Sequence, residues 1–276
     1  MRRFSQVDVF TNVPFRGNPV AVVIDGDGLS DDEMQRFANW TNLSETTFIC
    51  SPTHPDADYR LRIFTPAREM DFAGHPTIGS CHAWLEAGGV PKETTIVQEC
   101  GVGNVTIRHG ERLAFAAPKP RQMRPMTPTE LAATCAGARI DPATIVAHQL
   151  LDNGPVFHTI VVDDAKTVLG CAPDLVAIGD LHVAVAGRYQ SPAPGDPDIE
   201  VRMFAPGLGV AEDPVTGSLN AILAQWLIDA GHMPAQYLAS QGTALGRAGR
   251  VHISADNGDV WVAGDAVTCI RGEVTI

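Results

Sequence analysis

The chain has 276 residues, 45% of them hydrophobic and 19% charged, enough for a large core and more than one unit of ordinary domain size. Its formal net charge of −12 repels nucleic acid and anionic membrane, so neither is an expected partner. No apolar run is long enough to span a bilayer, and no signal core follows the arginines of MRRFSQVDVFTN. None of the six cysteines sits in a Cys-x-x-Cys pair, so the expectation is a reduced, cytoplasmic protein.

The opening VDVFTNVPFRGNPVAVVID predicts strand, Pro/Gly turn, strand. In LSDDEMQRFANWTN, Ser30 and Glu33 form a capping box ahead of an amphipathic helix. A strand TTFIC, a turn at SPTHPDAD and a strand YRLRIFTP follow. A helix from Thr77 to Ala87 is expected to stop at Gly88-Gly89. Short strands at TIVQEC, GNVTIR and RLAFAAP close the first half. The Pro-rich, basic stretch from Pro118 to Pro128 reads as a linker. Thr127, Pro128 and Glu130 then cap a helix through Ala136. Strands VFHTIVVD, LHVAVAGR and IEVRMFAP come next. After a second helix comes a hairpin turning at Asn257-Gly258, and the last strand, VTCIRGEVTI, is expected to return to the first half.

The chain repeats itself with a period of about half its length. FTPAREMDFAGHPTIGSCHAWLEAGG, from Phe64, and FAPGLGVAEDPVTGSLNAILAQWLIDAG, from Phe204, share Phe-x-Pro, an acid, Thr and Gly-Ser opening a helix, Trp-Leu and Ala-Gly. Two such helix starts can face each other across a cleft and hold an anion such as a carboxylate on their unpaired N–H groups.

Several residues could carry chemistry. Glu45, in NLSETTF, is either a cleft carboxylate fit for proton transfer or a solvated loop residue. His75, ahead of the expected helix start, either meets a substrate or satisfies a turn. Gly74, Gly79, Ser80, Gly217 and Ser218 allow close backbone approach to a ligand, or serve capping and packing alone. Asp213 is open between holding a substrate amine or hydroxyl and capping the second helix, whereas Glu212 and Glu69 read as structural. The histidines show no metal-ligand spacing, so no metal is expected. No Gly-x-Gly-x-x-Gly or P-loop is present, and Ser218 lacks a nucleophile elbow, so neither a nucleotide cofactor nor a serine hydrolase is expected.

VDVFTNVPFRGNPVAVV, NLSETTF, FTPAREMDFAGHPTIG, MFAPGLGVAEDPVTGS and GR…VWVAGDAV resemble the phenazine-biosynthesis isomerase family, the PhzF-like proteins, end to end and in order. The resemblance implies an α+β, diaminopimelate epimerase-like fold. Each of its two lobes is a mostly antiparallel sheet around one central helix, with the active site between them. The lobes are expected at 1–117 plus 266–276 and at 118–265. By resemblance Glu45 is the acid/base carboxylate. Gly74 and His75 match the family's GH pair, and Asp213, Gly217 and Ser218 match its DPxTGS residues. Ser44 and Thr77 fall in the substrate-binding set. The implied reaction moves a proton between ring carbons of trans-2,3-dihydro-3-hydroxyanthranilate without cofactor or metal, in a homodimer. The rival readings are an epimerase or lyase on an amino or hydroxy acid, and a metabolite-binding member without catalysis. Diaminopimelate epimerase uses two facing cysteines. The corresponding positions here are Ala73 and Asp213, with Cys81 inside the helix, so two-thiol racemisation is not expected. Leu219 is expected to narrow the pocket on one side.

Overall fold

Val20–Val23 are all fully buried, as in a strand covered on both faces. The computed structural model, which describes Met1–Ile276, shows what covers them. The fold is α+β, and packing divides the chain into Met1–Ala116 with Ala263–Ile276, and Ala117–Val262.

In the first unit, β1 (Arg2–Val9) lies between the last strand of the chain, Ala266–Val274, and β2 (Asn18–Val23), antiparallel to both. Helix α1 (Asp31–Thr41) then crosses over, so β3 (Thr46–Cys50) runs parallel to β2. Strand β4 (Tyr59–Phe64) is antiparallel to β3 and to the short β5 (Glu69–Met70). Helix α2 (Gly74–Glu86) follows. Then β6 (Thr95–Cys100) pairs parallel with β4, and β7 (Gly103–His109) and β8 (Leu113–Ala116) complete an antiparallel meander.

Helix α2 is the core of this unit. Every residue from Gly74 to Cys81 is buried, and it packs on β1, β2, β3, β4 and β8. Helix α1 instead buries Met34 and Ala38, against Val23, Phe48 and Phe64, and keeps its polar face in water.

The second unit repeats the pattern. Strand β9 (Gln122–Arg124) precedes α3 (Pro128–Ala138), and β9 pairs antiparallel with β10 (Ile145–Asp152). Strand β11 (Val156–Val162) is antiparallel to β10. Short helices α4 (Ala165–Gly170) and α5 (Leu175–Ile178) cross over to a parallel β12 (His182–Arg188). Strand β13 (Ile199–Phe204) is antiparallel to β12. Helix α6 (Gly217–Asp229) comes next, followed by β14 (Gln236–Gln241), parallel to β13, and β15 (Gly249–Asp256), antiparallel to β14. From β1 to β7, and again from β10 to β15, the main-sheet pairings run antiparallel, parallel, antiparallel, parallel, antiparallel. The duplication therefore reaches the order and direction of strand pairing. Strand β16 (Asp259–Gly264) follows a two-residue turn in which Asn257 and Gly258 have φ 53° and 89°, both positive as a type I′ hairpin requires.

The sequence expectations need three corrections. The segment read as a linker contains β9. Strands β10 and β14 and helices α4 and α5 carry no clear periodicity and are not visible in the sequence alone. The third correction bears on the site: α2 begins at Gly74, ahead of Thr77. Pro76 falls in the first helical turn, where its missing N–H breaks no hydrogen bond. Gly79 and Ser80 therefore lie inside the helix. A Cβ on Gly79 would sit 2.4 Å from Val20 Cγ1 and 2.8 Å from Val9 Cγ2, and Ser80 Oγ is 2.8 Å from Thr47 Oγ1. Both residues serve packing.

Gly79→Ala is expected to cost about 1–3 kcal/mol by overpacking, read as a lower urea midpoint. The control is Gly272→Ala, where a Cβ meets nothing within 4 Å. Equal midpoints for the two would contradict this packing.

Candidate active site

The helix caps separate two kinds of helix. Helices α1 and α3 carry complete capping boxes, Ser30 with Glu33 and Thr127 with Glu130. The central helices α2 and α6 start at Ala73 and Thr216 with no side-chain cap. Their first N–H groups have no acceptor within the helix, and the helix dipole adds positive partial charge. In α2 these belong to Gly74 and His75, since Pro76 has no N–H and Thr77 N already donates to Ala73 O at 3.2 Å. In α6 they belong to Gly217 and Ser218, while Asn220 N donates to Thr216 O at 3.0 Å.

Glu45 reaches the start of α2. Asn42 ends α1 in the left-handed conformation, and Thr41 Oγ1 lies 2.7 Å from Thr46 Oγ1, which pins the junction into β3. Half-buried Ser44 and Glu45 fill that junction. A Glu45 carboxyl oxygen lies 3.3 Å from His75 Nε2, with side chains only 17% and 6% exposed.

Burial pushes the His75 imidazole down to about 3, against a smaller opposing effect of a hydrogen bond with the Pro19 backbone. Proline offers only its carbonyl, so the ring is the donor there. Asn18 Nδ2 lies 3.5 Å from Nδ1. At 3.3 Å the His75–Glu45 contact could be an ion pair, but full burial opposes the imidazolium and the neutral ring prevails.

Thr77 is fully buried and committed to the scaffold. Its hydroxyl donates to Ala73 O at 2.9 Å and accepts from Gln98 Nε2 at 3.1 Å. Gln98 in turn accepts from Tyr59 Oη at 3.0 Å. Burial pushes the Cys81 thiol up to about 12, which makes it a poor nucleophile.

The second unit brings Asp213, Thr216 and the start of α6 together. Asp213 is buried at 8% exposure, and its Oδ2 accepts from Thr216 Oγ1 at 2.6 Å. It therefore braces the residue ahead of the helix. Gly217 is buried, Ser218 half-buried, and Ser218 O accepts from Asn153 Nδ2 at 2.9 Å. Leu219 is fully buried, in the core. Glu212 forms a bidentate pair with Arg202 at 2.9 and 2.7 Å, and Glu69 pairs with Arg62 at 2.6 Å, so both are structural as expected.

Sequence reasoning misses Asn18, Gln98, Asn220 and Gln241, all buried amides near the two helix starts. The available signal is an amide within an otherwise apolar strand, as in NPVAVV. No three His, Cys, Asp or Glu side chains converge as a metal site would need. A cavity of about 410 Å³ lies at the other end of α2, beside Trp84 and Gly88. Its carboxylates are engaged, Asp25 by Arg3 at 2.7 Å and Asp27 by Ser51 Oγ at 2.6 Å.

A model of the PhzC-PhzF family, described as phenazine biosynthesis-like protein, matches residues 7–272. Antisense-enhancing sequence 1 of Schizosaccharomyces pombe is 39% identical over 98% of this chain and 97% of its own. Trans-2,3-dihydro-3-hydroxyanthranilate isomerase of Pseudomonas aeruginosa is 33% identical over 98% and 95%. The crystal structure of a PhzF-family phenazine biosynthesis protein from Enterococcus faecalis superimposes with a TM-score of 0.81 at 27% identity, covering 100% of both chains.

A buried neutral histidine has a signed effect on stability. The unfolded chain binds a proton near pH 6.5, while the folded one resists until about 3. Stability from His75 is thus complete above pH 6.5 and falls as the pH drops through that window, by up to about 1.4 kcal/mol per pH unit. The His75 ring signals in NMR are expected to stay constant from pH 8 to 5. A midpoint near 6.5 would contradict the burial argument.

Proposed function

Because the chain belongs to the phenazine biosynthesis-like family of isomerases, we propose that it moves a proton from one carbon to another within a small carboxylate-bearing molecule, using no metal or cofactor. Glu45 carries the proton. His75 keeps the carboxyl in place and shares its proton without charging. The substrate carboxylate is bound by backbone N–H groups at a helix start, those of Gly217 and Ser218 or that of Gly74, and Asp213 takes a hydrogen bond from a substrate amine or hydroxyl. Ser44 borders the same site beside Glu45. Thr77 acts only through the scaffold of α2.

The observation that carries this reading is the Glu45–His75 contact of 3.3 Å at the start of an uncapped, buried helix. A carboxyl poised for proton transfer needs a low-dielectric setting and a partner that does not lock it as an anion, and a neutral imidazole meets both needs. The relatives from Pseudomonas aeruginosa and Pseudomonas fluorescens named trans-2,3-dihydro-3-hydroxyanthranilate isomerase support a cyclic amino acid bearing a hydroxyl as the substrate type. A homodimer in the cytoplasm completes the proposal by family likeness.

Glu45→Gln is expected to lower turnover of that compound by about 100- to 10,000-fold with little change in melting temperature. Near-normal turnover would remove Glu45 from the chemistry. A large loss of stability would make it structural.

A further inference from the structure

We propose that Gln241 is a positioning residue that holds Asp213 as a hydrogen-bond acceptor through the hydroxyl of Thr216. Gln241 ends β14 and is fully buried. Its side-chain amide makes four hydrogen bonds, all to the loop and helix that carry Asp213. Nε2 donates to the Asp213 carbonyl oxygen at 3.1 Å and to Thr216 Oγ1 at 2.9 Å. Oε1 accepts from Thr216 N at 3.0 Å and from Asn220 Nδ2 at 2.8 Å. The amide cannot be turned over, because Oε1 would then face a carbonyl oxygen and Nε2 a backbone N–H.

That orientation fixes the direction of the next bond. Thr216 Oγ1 already accepts a hydrogen from Gln241, so its own hydrogen points elsewhere, and Asp213 Oδ2 lies 2.6 Å away. This length falls in the range of an O–H donating to an ionised oxygen. The chain of donors therefore runs one way, from Gln241 through Thr216 to Asp213, and keeps Oδ2 an acceptor. The charged groups near this loop include the Arg202–Glu212 pair, closed on itself at 2.7 Å, and Arg247, whose stem lies beside Gly242. On the strands beside β14, Arg250 donates to Ser240 Oγ at 3.0 Å and Glu200 accepts from Tyr189 Oη at 2.8 Å. A ligand group that meets Asp213 must then be a donor, an amine or a hydroxyl.

The test uses the full chain and two near-isosteric changes, Thr216→Val and Gln241→Glu, with Thr216→Ser as the conservative rescue. Carbon-13 NMR of the Asp213 carboxyl reads its protonation, and circular dichroism reads the fold. The expected result is an ionised Asp213 at neutral pH in wild type and in Thr216→Ser. Thr216→Val removes the donor, and the titration midpoint rises by about one pH unit. Gln241→Glu replaces the donor with a carboxylate, which draws the hydroxyl to itself and raises the midpoint further. An unmoved midpoint in folded Thr216→Val overturns the proposal, as does a protonated Asp213 in wild type. If Gln241→Glu does not fold, Thr216→Val decides. Only the activity arm rests on the proposed isomerisation: there Thr216→Val should lose about tenfold or more in kcat, restored in Thr216→Ser. Absence of turnover in wild type would sink the isomerase reading and leave the NMR result standing.

Discussion

A helix enclosed in its own sheet must satisfy its ends without water, and the two central helices of this chain do not do so from within. The peripheral helices α1 and α3, exposed to solvent, carry full capping boxes. The buried α2 and α6, where capping would matter most, carry none. Buried backbone donors without acceptors are costly, so these two starts are where an anionic group gains most by binding. Small residues let each helix start lie deep in its unit, and buried amides on neighbouring segments brace the surrounding loops.

Each helix start has a carboxyl beside it, in a different setting. Glu45 faces a neutral imidazole that burial keeps uncharged. Asp213 accepts from a hydroxyl whose direction Gln241 fixes, which suits an anion that orients a ligand.

Much of this was legible in the sequence. Phe-x-Pro, the Thr/Gly-Ser run, Trp-Leu and Ala-Gly marked both central helices, and Ser30/Glu33 and Thr127/Glu130 marked two more starts. The repeat and the structure differ at one point. Aligning Thr77-Ile78-Gly79-Ser80 with Thr216-Gly217-Ser218 puts both Gly-Ser pairs at helix starts, whereas α2 begins before His75 and only Gly217-Ser218 open a helix. Pro76 hid the true start, because proline reads as a break although the first turn tolerates it. The bracing amides carry no local sequence signal because their partners are remote in sequence: Gln98 meets Thr77, and Gln241 meets Thr216. The short helices α4 and α5 and the strand within the Pro-rich segment are tertiary outcomes with no periodic signature.

The most direct test of the account is solvent-deuterium incorporation. Wild-type protein would be incubated in D2O with small cyclic and acyclic amino and hydroxy acids, including trans-2,3-dihydro-3-hydroxyanthranilate, and the products read by mass spectrometry. The account predicts one deuteron placed on carbon in a rearranged product, in wild type and not in Glu45→Gln. Label that persists without Glu45, or binding with neither label nor rearrangement for any compound, would contradict it.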